Sequence, residues 1–289
     1  MTRQPLPSTD SKLRRRPTQD RFISLKKIVK FPLLVFFALA LTLTGCIPAT
    51  LAPSRAPLPA GQEDRLWDRV RDNGRQYQSL RGLAKVQVSW QGKNASVNQV
   101  LVVEKPDRFR AETLNPFGFG SPLLLMVTDG SQLAVMVPGE GRMFRGEATS
   151  RNLQRFTRVP LYLEDLVQFI LYQVPVISYD ESRAYRIADG RMQLELRDGD
   201  RRRQELFFND REQLLETAYY EGEELTLRVR YDSFSPGEKP FPLSASLEMP
   251  GQQARASLVF SELQTNVSPE AALFLLGTPP GYEEIPIPE

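Results

Sequence analysis

Cys46 is the only cysteine of the chain, and the residues before it indicate that its thiol is modified. Residues 1–30 are polar and basic, residues 31–43 are mostly apolar, and Thr44 and Gly45 are small. A basic region, a short apolar region and small residues in this order predict a secretory signal cleaved before Cys46. The apolar run is shorter than the roughly 20 residues that a membrane-spanning helix needs. An uncleaved signal anchor with an incidental cysteine is the alternative.

The tetrad Leu43-Thr44-Gly45-Cys46 resembles a bacterial lipobox, in which the cysteine receives diacylglycerol and becomes the new amino terminus. This resemblance implies a signal peptide at residues 1–45 and a lipid anchor, with chains such as palmitate, on Cys46. Such chains hold a protein firmly, since each buried CH₂ contributes about 0.8 kcal/mol. The aspartate that retains enterobacterial lipoproteins at the inner membrane is absent after Cys46. The implied location is therefore the inner leaflet of the outer membrane, facing the periplasm.

Composition argues against several classes of function. The chain contains no histidine, which removes the commonest general base and any Ser-His-Asp or Cys-His arrangement. A single cysteine cannot form a thiolate metal cluster. Residues 1–45 contribute +7 to the net charge of +2, so residues 46–289 carry −5. An acidic chain argues against a nucleic-acid partner. We expect neither an enzyme nor a bound metal or cofactor.

The order of patterns predicts a mainly β domain. Residues 46–63 are rich in Pro, Ala and Ser and predict a lipidated, flexible tether. Helical spacing follows at residues 64–80, and from Gly82 the period changes from 3.6 to 2. Short alternating segments separated by turn residues then continue to residue 263, which is typical of antiparallel strands. We expect one domain at residues 64–263 and a carboxy-terminal extension at residues 264–289 with a Pro-rich, irregular tail.

Residues 149–173 interrupt the strands with an apolar helical segment, Leu161–Leu171, preceded by Pro160. About eleven antiparallel strands, with an amino-terminal helix and this segment as a lid or plug, would form a half-open barrel. A loosely filled barrel of this kind contains an apolar cavity. Ordinary core positions are the alternative for each of the candidate residues of its wall and lid. These candidates are Val86, Val88, Trp90, Phe109, Leu125, Leu166, Phe169 and Ile170.

A second candidate site is the loop Asn115-Pro116-Phe117-Gly118-Phe119-Gly120. Glycines beside both aromatic residues let the backbone turn sharply, which favours an apolar tip. Phe117 and Phe119 are therefore candidates for entering a bilayer interface or touching an apolar ligand. The alternative is that both rings fold back under the sheet.

Three segments carry a resemblance to a known family. Leu80-Arg81-Gly82, the run from Pro106 to Arg110 and the Asn115–Gly118 loop, in this order, resemble the outer-membrane lipoprotein receptor family LolB, within the LolA/LolB-like superfamily. The resemblance covers about residues 64–263 and implies an eleven-stranded half-open barrel with a helical lid. The second aromatic residue of the loop and the residues beyond Leu263 depart from the family pattern.

The family resemblance also implies a function. Such proteins take the acyl chains of lipoproteins from a soluble periplasmic carrier and pass them to the outer membrane, with an apolar residue exposed at the position of Phe117. We therefore expect a lipid-anchored protein that binds acyl chains and helps receive or insert lipoproteins at the outer membrane. A lipid-sensing or lipoprotein-sensing module, or a scaffold of an envelope complex on the same fold, is the alternative.

Overall fold

The fold is known from a computed structural model that describes residues 55–117 and 120–288. Cys46, the signal segment and Phe119 lie outside the described residues. Three α-helices lie in the described part of the chain: α1 (Gln62–Gln76), α2 (Ser150–Thr157) and α3 (Leu163–Ile170). The strands are β1 (Ala56–Pro57), β2 (Ser79–Trp90), β3 (Lys93–Glu104), β4 (Arg108–Thr113), β5 (Leu124–Thr128), β6 (Gln132–Val137), β7 (Arg142–Glu147), β8 (Glu181–Arg186), β9 (Met192–Asp198), β10 (Arg202–Phe208), β11 (Leu214–Glu221), β12 (Glu224–Phe234), β13 (Pro242–Met249), β14 (Ala254–Thr265) and β15 (Glu283–Pro286).

All fifteen strands belong to one sheet, whose order is β1-β8-β9-β10-β11-β12-β13-β14-β2-β3-β4-β5-β6-β7-β15. Two antiparallel meanders, β2 to β7 and β8 to β14, are joined by the long pairing of β14 with β2. β1 and β15 are the two edges, and the sheet is not closed. The predicted mainly β class is confirmed, whereas residues 55–117 and 120–288 contain fifteen strands in place of about eleven.

Both edge strands come from segments predicted to be irregular because they contain proline. β1 pairs antiparallel with β8 through Ala56 and Pro57. β15 pairs in parallel with β7 and ends at Pro286. Proline cannot donate a backbone hydrogen bond, so it is tolerated at the edge of a sheet and excluded from its middle. The proline-rich composition of these segments therefore did not predict β1 and β15, which form by pairing with β8 and β7.

The amino-terminal helix is shorter than predicted. α1 ends at Gln76 because Tyr77 adopts an extended conformation, and β2 already begins at Ser79. Leu66 and Val70 of α1 are buried in the core, and the ring of Trp67 stacks on Tyr179 with centroids 5.4 Å apart. None of the helices in the described residues is long and apolar enough to cross a lipid bilayer.

The carboxy-terminal segment, residues 266–288, packs against part of the sheet's outer face before it enters the edge strand β15. Phe274 is buried in this segment, whereas Ile287, just after β15, belongs to the main core. The guanidinium of Arg110 donates to the carbonyl of Leu273 at 3.1 Å, and that of Arg145 donates to the carbonyl of Leu276 at 2.9 Å. Beneath the segment lies a second apolar cluster, formed by Leu125, Val127, Ala134 and Met143 with Met136 and Leu276. Strands β5 to β7 are consequently covered on both faces.

Gly82 sits where β2 meets a bulge of β14. The register of the pair shifts between Phe260 and Glu262, which leaves Ser261 as an extra residue. A Cβ on Gly82 would lie 2.6 Å from the backbone carbonyl oxygen of Glu262 and 3.0 Å from the ring of Phe260. The glycine of the Leu80-Arg81-Gly82 motif is therefore required by the close approach of two backbones.

We expect Gly82→Ala to lower the free energy of unfolding by about 1–3 kcal/mol, the usual cost of forcing extra volume into a packed site. Urea unfolding followed by circular dichroism measures this change. Gly139→Ala is the matched control, because its Cβ would meet no atom within 4 Å. Equal midpoints for Gly82→Ala and the unsubstituted protein would show that the bulge yields without cost.

Candidate ligand-binding cavity

A cavity of about 360 Å³ lies between the inner face of the sheet and the helices α2 and α3. Its walls come from β2 to β5 on one side and from β12 to β14 on the other. Its size falls within the range of small-molecule sites, about 300–1,000 Å³. The lining residues are Val86, Val88, Ala95, Val97, Gln99, Leu101, Phe109, Ala111, Thr113, Leu124, Met126, Phe156, Thr157, Arg158, Val159, Leu166, Phe169, Ile170, Val229, Ala245, Ser246, Leu247, Ala256, Ser257 and Leu258.

The wall is apolar because alternate residues of each strand face inward. On β3 the odd-numbered residues from Ala95 to Leu101 line the cavity. Two polar residues within this wall satisfy each other, since the side-chain amide of Gln99 donates to the hydroxyl of Thr113 at 3.0 Å. Arg158 is the one charged residue in the lining that the structure describes. Such a surface suits an unbranched hydrocarbon chain far better than a polar metabolite.

The cavity has a closed end and an open end. Leu101, Phe109 and Ala111 form a closed end and are almost fully buried. Val86 and Val88 lie further along β2, toward the β2–β3 turn, and are partly exposed. The exposure thus rises along the strands, and the cavity opens at the β2–β3 turn.

The lid is α3 with the residues before it. Leu166, Phe169 and Ile170 of α3 contribute to the cavity lining. Phe156 of α2 lines it as well, and its ring lies 5.7 Å from that of Phe144 of β7. The helices therefore contribute mostly apolar side chains to the boundary of the cavity.

Tyrosine hydroxyls fix the lid to one side of the sheet. Tyr231 of β12 donates to the carbonyl of Phe169 at 3.1 Å, and Tyr219 of β11 donates to the carbonyl of Pro175 at 2.6 Å. Burial raises the pKa of both phenols above its usual value, so both stay protonated and remain donors. The carboxy-terminal end of the lid is consequently held by β11 and β12.

Six of the eight residues predicted for wall and lid line the cavity. These six residues are Val86, Val88, Phe109, Leu166, Phe169 and Ile170.

Trp90 lies just beyond the lining, at the open end. It is two residues further along β2 than Val88 and so shares its face. The guanidinium carbon of Arg158 lies 5.3 Å from the centre of its indole ring. Trp90 thus contacts Arg158 beside the opening and does not form part of the cavity wall.

Leu125 does not line the cavity, which corrects the prediction. It faces the outer side of the sheet and belongs to the second cluster, whereas its neighbours Leu124 and Met126 line the cavity. The reason is that β5 is covered on both faces, so residues 123–127 form a continuous apolar run. Such a run contains no alternation from which the inward face could be deduced.

Phe117 is the most exposed large apolar residue among those described, with 97% of its surface accessible. The carboxamide oxygen of Asn115 accepts the backbone N–H of Phe117 at 2.9 Å, which is the turn expected of an asparagine at this position. The loop leaves β4 next to Asn98, whose carbonyl accepts from Leu114 at 2.8 Å. β4 runs from Arg108, opposite Glu104, to Thr113, opposite Gln99, so the loop that carries Phe117 leaves β4 in the direction of the cavity opening.

Sequence reasoning missed much of the lining. Leu247, Ala256 and Leu258 of β13 and β14 line the cavity together with the neighbouring Ser246 and Ser257. The apolar residues alternate with these serines in the sequence, which was a usable signal. Arg158 had no such signal, because a single arginine between a helix and Pro160 is typical of a solvated surface. In the part of the chain that the structure describes, no group of three or more Cys, Asp or Glu residues is placed to hold a metal ion.

No protein-family model and no curated protein matches the sequence. Among solved structures, the chain is similar to a DUF1329 family protein from Desulfovibrio piger, with 16% identity over 75% of this chain and 97% of that chain and a TM-score of 0.49. It is also similar to a LolA superfamily protein from Nitrosomonas europaea, with 13% identity over 74% of this chain and 97% of that chain and a TM-score of 0.44. Both TM-scores are below 0.5, so these likenesses imply no function for this chain.

Proposed function

We propose that this protein is anchored to the outer membrane by lipid on Cys46, binds acyl chains in its cavity and helps receive or insert lipoproteins there. The observation that carries the proposal is the cavity, whose described lining contains one charged residue among twenty-five. The partners that follow are the acyl chains of lipoproteins, the inner leaflet of the outer membrane and a soluble periplasmic carrier.

The hydrophobic effect sets the scale of this binding. Each methylene moved from water into the cavity contributes about 0.8 kcal/mol, so ten methylenes contribute about 8 kcal/mol before the cost of association. Because association has its own cost, this value is an upper limit and corresponds to a dissociation constant no tighter than about 1 μM. An affinity limited in this way suits transfer, because the chain is shielded from water and is still released to a membrane.

The position of Phe117 supports transfer rather than storage. An almost fully exposed phenyl ring at the open end can enter a bilayer interface while the opening faces the same membrane. No reaction is needed for such transfer, since its direction follows from the difference in affinity between two apolar environments. β1 begins ten residues after Cys46, so a lipid anchor on Cys46 would keep the domain near the membrane.

Mass spectrometry of the molecules that co-purify with a version starting at Ile47 tests the proposal. We expect lipids or acylated peptides in about equimolar amount, and their displacement by a fluorescent fatty acid. Purified protein without any acylated ligand, and without saturable binding of the fatty acid, would reject the proposal.

A further inference from the structure

The guanidinium of Arg158 lies at the opening of the cavity, and its contacts differ from those of the other surface arginines. Arg158 lines the cavity while its side chain stays in contact with solvent. Its guanidinium carbon lies 5.3 Å from the centre of the Trp90 ring, so the planar group is held over the indole. Among the described residues, none forms an ion pair with Arg158, although most arginines of the sheet do.

The backbone of Arg158 is unusual for an arginine. It ends α2 in the left-handed conformation, with φ at 62°, and its N–H donates to the carbonyl of Gln154 at 2.9 Å. Glycine is the usual residue at this position of a helix end, because a side chain there is strained. Six other non-glycine residues among those described share a positive φ, so what distinguishes Arg158 is that its side chain lines the cavity.

A second cation lies beside this group. Gln91 and Gly92 form a two-residue turn, both with positive φ, and Lys93 pairs with Trp90 across it. Paired residues of antiparallel strands lie on the same face, so the Lys93 side chain starts on the face that Trp90 presents to Arg158. The opening therefore offers two positive charges beside an aromatic ring, at the end of an apolar cavity.

We infer that the cavity takes acyl chains whose headgroup is anionic, and that Arg158 binds that headgroup at the opening with Lys93 beside it. The inference rests on the proposed function, because both need the same acyl-binding cavity. The acyl chains of a lipoprotein end in uncharged ester and amide groups, so the anionic lipid is a further ligand of that cavity. A guanidinium binds a carboxylate or a phosphate through two parallel hydrogen bonds, which an uncharged hydroxyl cannot match. The shared chemistry is one acyl chain ending in an anion, from a fatty acid or from a phospholipid.

Photolabelling of the full chain in phosphatidylcholine nanodiscs tests this inference. Three probes carry a diazirine at the far end of the same chain: a palmitate, a lysophosphatidate and an uncharged hexadecanol. Labelling of cavity peptides, followed by mass spectrometry as the probe concentration rises, gives a half-saturating concentration. A given probe partitions to the same extent into the nanodiscs of every protein variant. Differences in its half-saturating concentration between variants therefore report on the cavity.

We expect Arg158→Gln to raise the half-saturating concentration of the anionic probes about tenfold and to leave that of hexadecanol unchanged. The anionic probe that suffers the larger loss identifies carboxylate or phosphate as the preferred headgroup. Arg155→Gln is the matched control, because it removes an exposed charge of α2 outside the cavity lining. Arg158→Gly relieves the backbone strain, so it should raise the melting temperature while weakening anion binding.

Two results would overturn the inference. The first would leave the proposed acyl-binding cavity intact, and the second would reject it as well. Equal losses for all three probes in Arg158→Gln, or no loss for any, would remove the headgroup site and leave the acyl cavity. No saturable labelling of cavity peptides by any probe in the unsubstituted protein would remove the proposed function and this inference with it.

Discussion

Val97→Trp is expected to reduce the affinity for a fluorescent fatty acid about 100-fold and to leave the fold intact. The Val97 side chain lines the cavity and is only partly buried, so a larger side chain can extend into the empty volume. If the indole displaces about four methylenes of the ligand, the loss is about 3 kcal/mol, which corresponds to a factor of about 100. Fluorescence titration measures the affinity, and thermal unfolding measures the stability.

Ser96→Trp is the matched control for this substitution. Ser96 is the preceding residue of β3, is exposed and faces the other side of the sheet, so the same side chain is added outside the cavity. Its affinity for the fatty acid should stay within a factor of about two, which is about 0.4 kcal/mol. Similar affinities for both tryptophan variants would mean that the fatty acid binds somewhere else.

Phe117→Glu is expected to abolish delivery of acylated cargo to vesicles while leaving binding in the cavity unchanged. The side chain is 97% exposed, so a charge there has no effect on the core. A carboxylate at the tip of the loop instead opposes insertion into an apolar membrane interface, where an ionised group is costly. Delivery is measured as transfer of a labelled lipoprotein from a soluble carrier to vesicles that contain the full chain.

Val259→Glu provides the comparison for Phe117→Glu. Val259 is also an exposed apolar residue, with 47% of its surface accessible, and it lies on the outer face of β14. Adding the same charge there should leave both transfer and binding unaffected. Normal transfer by Phe117→Glu, or an equal loss in both variants, would contradict a membrane-inserting role for the loop.

Removal of the carboxy-terminal residues is a poor test of a partner-binding role, because residues 266–288 cover the chain's own apolar surface. Phe274 is 2% exposed, and Leu276 packs on the cluster that contains Leu125 and Val127. A truncated chain would expose that cluster and invite aggregation. Substitutions of exposed residues in this segment, such as Leu275 with 60% of its surface accessible, probe a partner without uncovering the sheet.

The sequence by itself determined the local elements of this protein. Alternation in residues 84–90 set the inward face of β2, and the turn at Asn115 accompanies an exposed tip at Phe117. The apolar helical segment after Pro160 became the lid. These features depend on residues a few positions apart, so their periodicity and turn chemistry can be recognised in the sequence.

Only the tertiary structure decided which apolar residues surround a cavity and which are ordinary core. Leu125 faces outward because residues from the far end of the chain cover that side of β5, and no local pattern records such a cover. Arg158 reaches the cavity opening because α2 ends beside Trp90, about seventy residues away in sequence. Strand pairing and the layering of segments join distant residues, so the chemistry of the opening exists only once the sheet has formed.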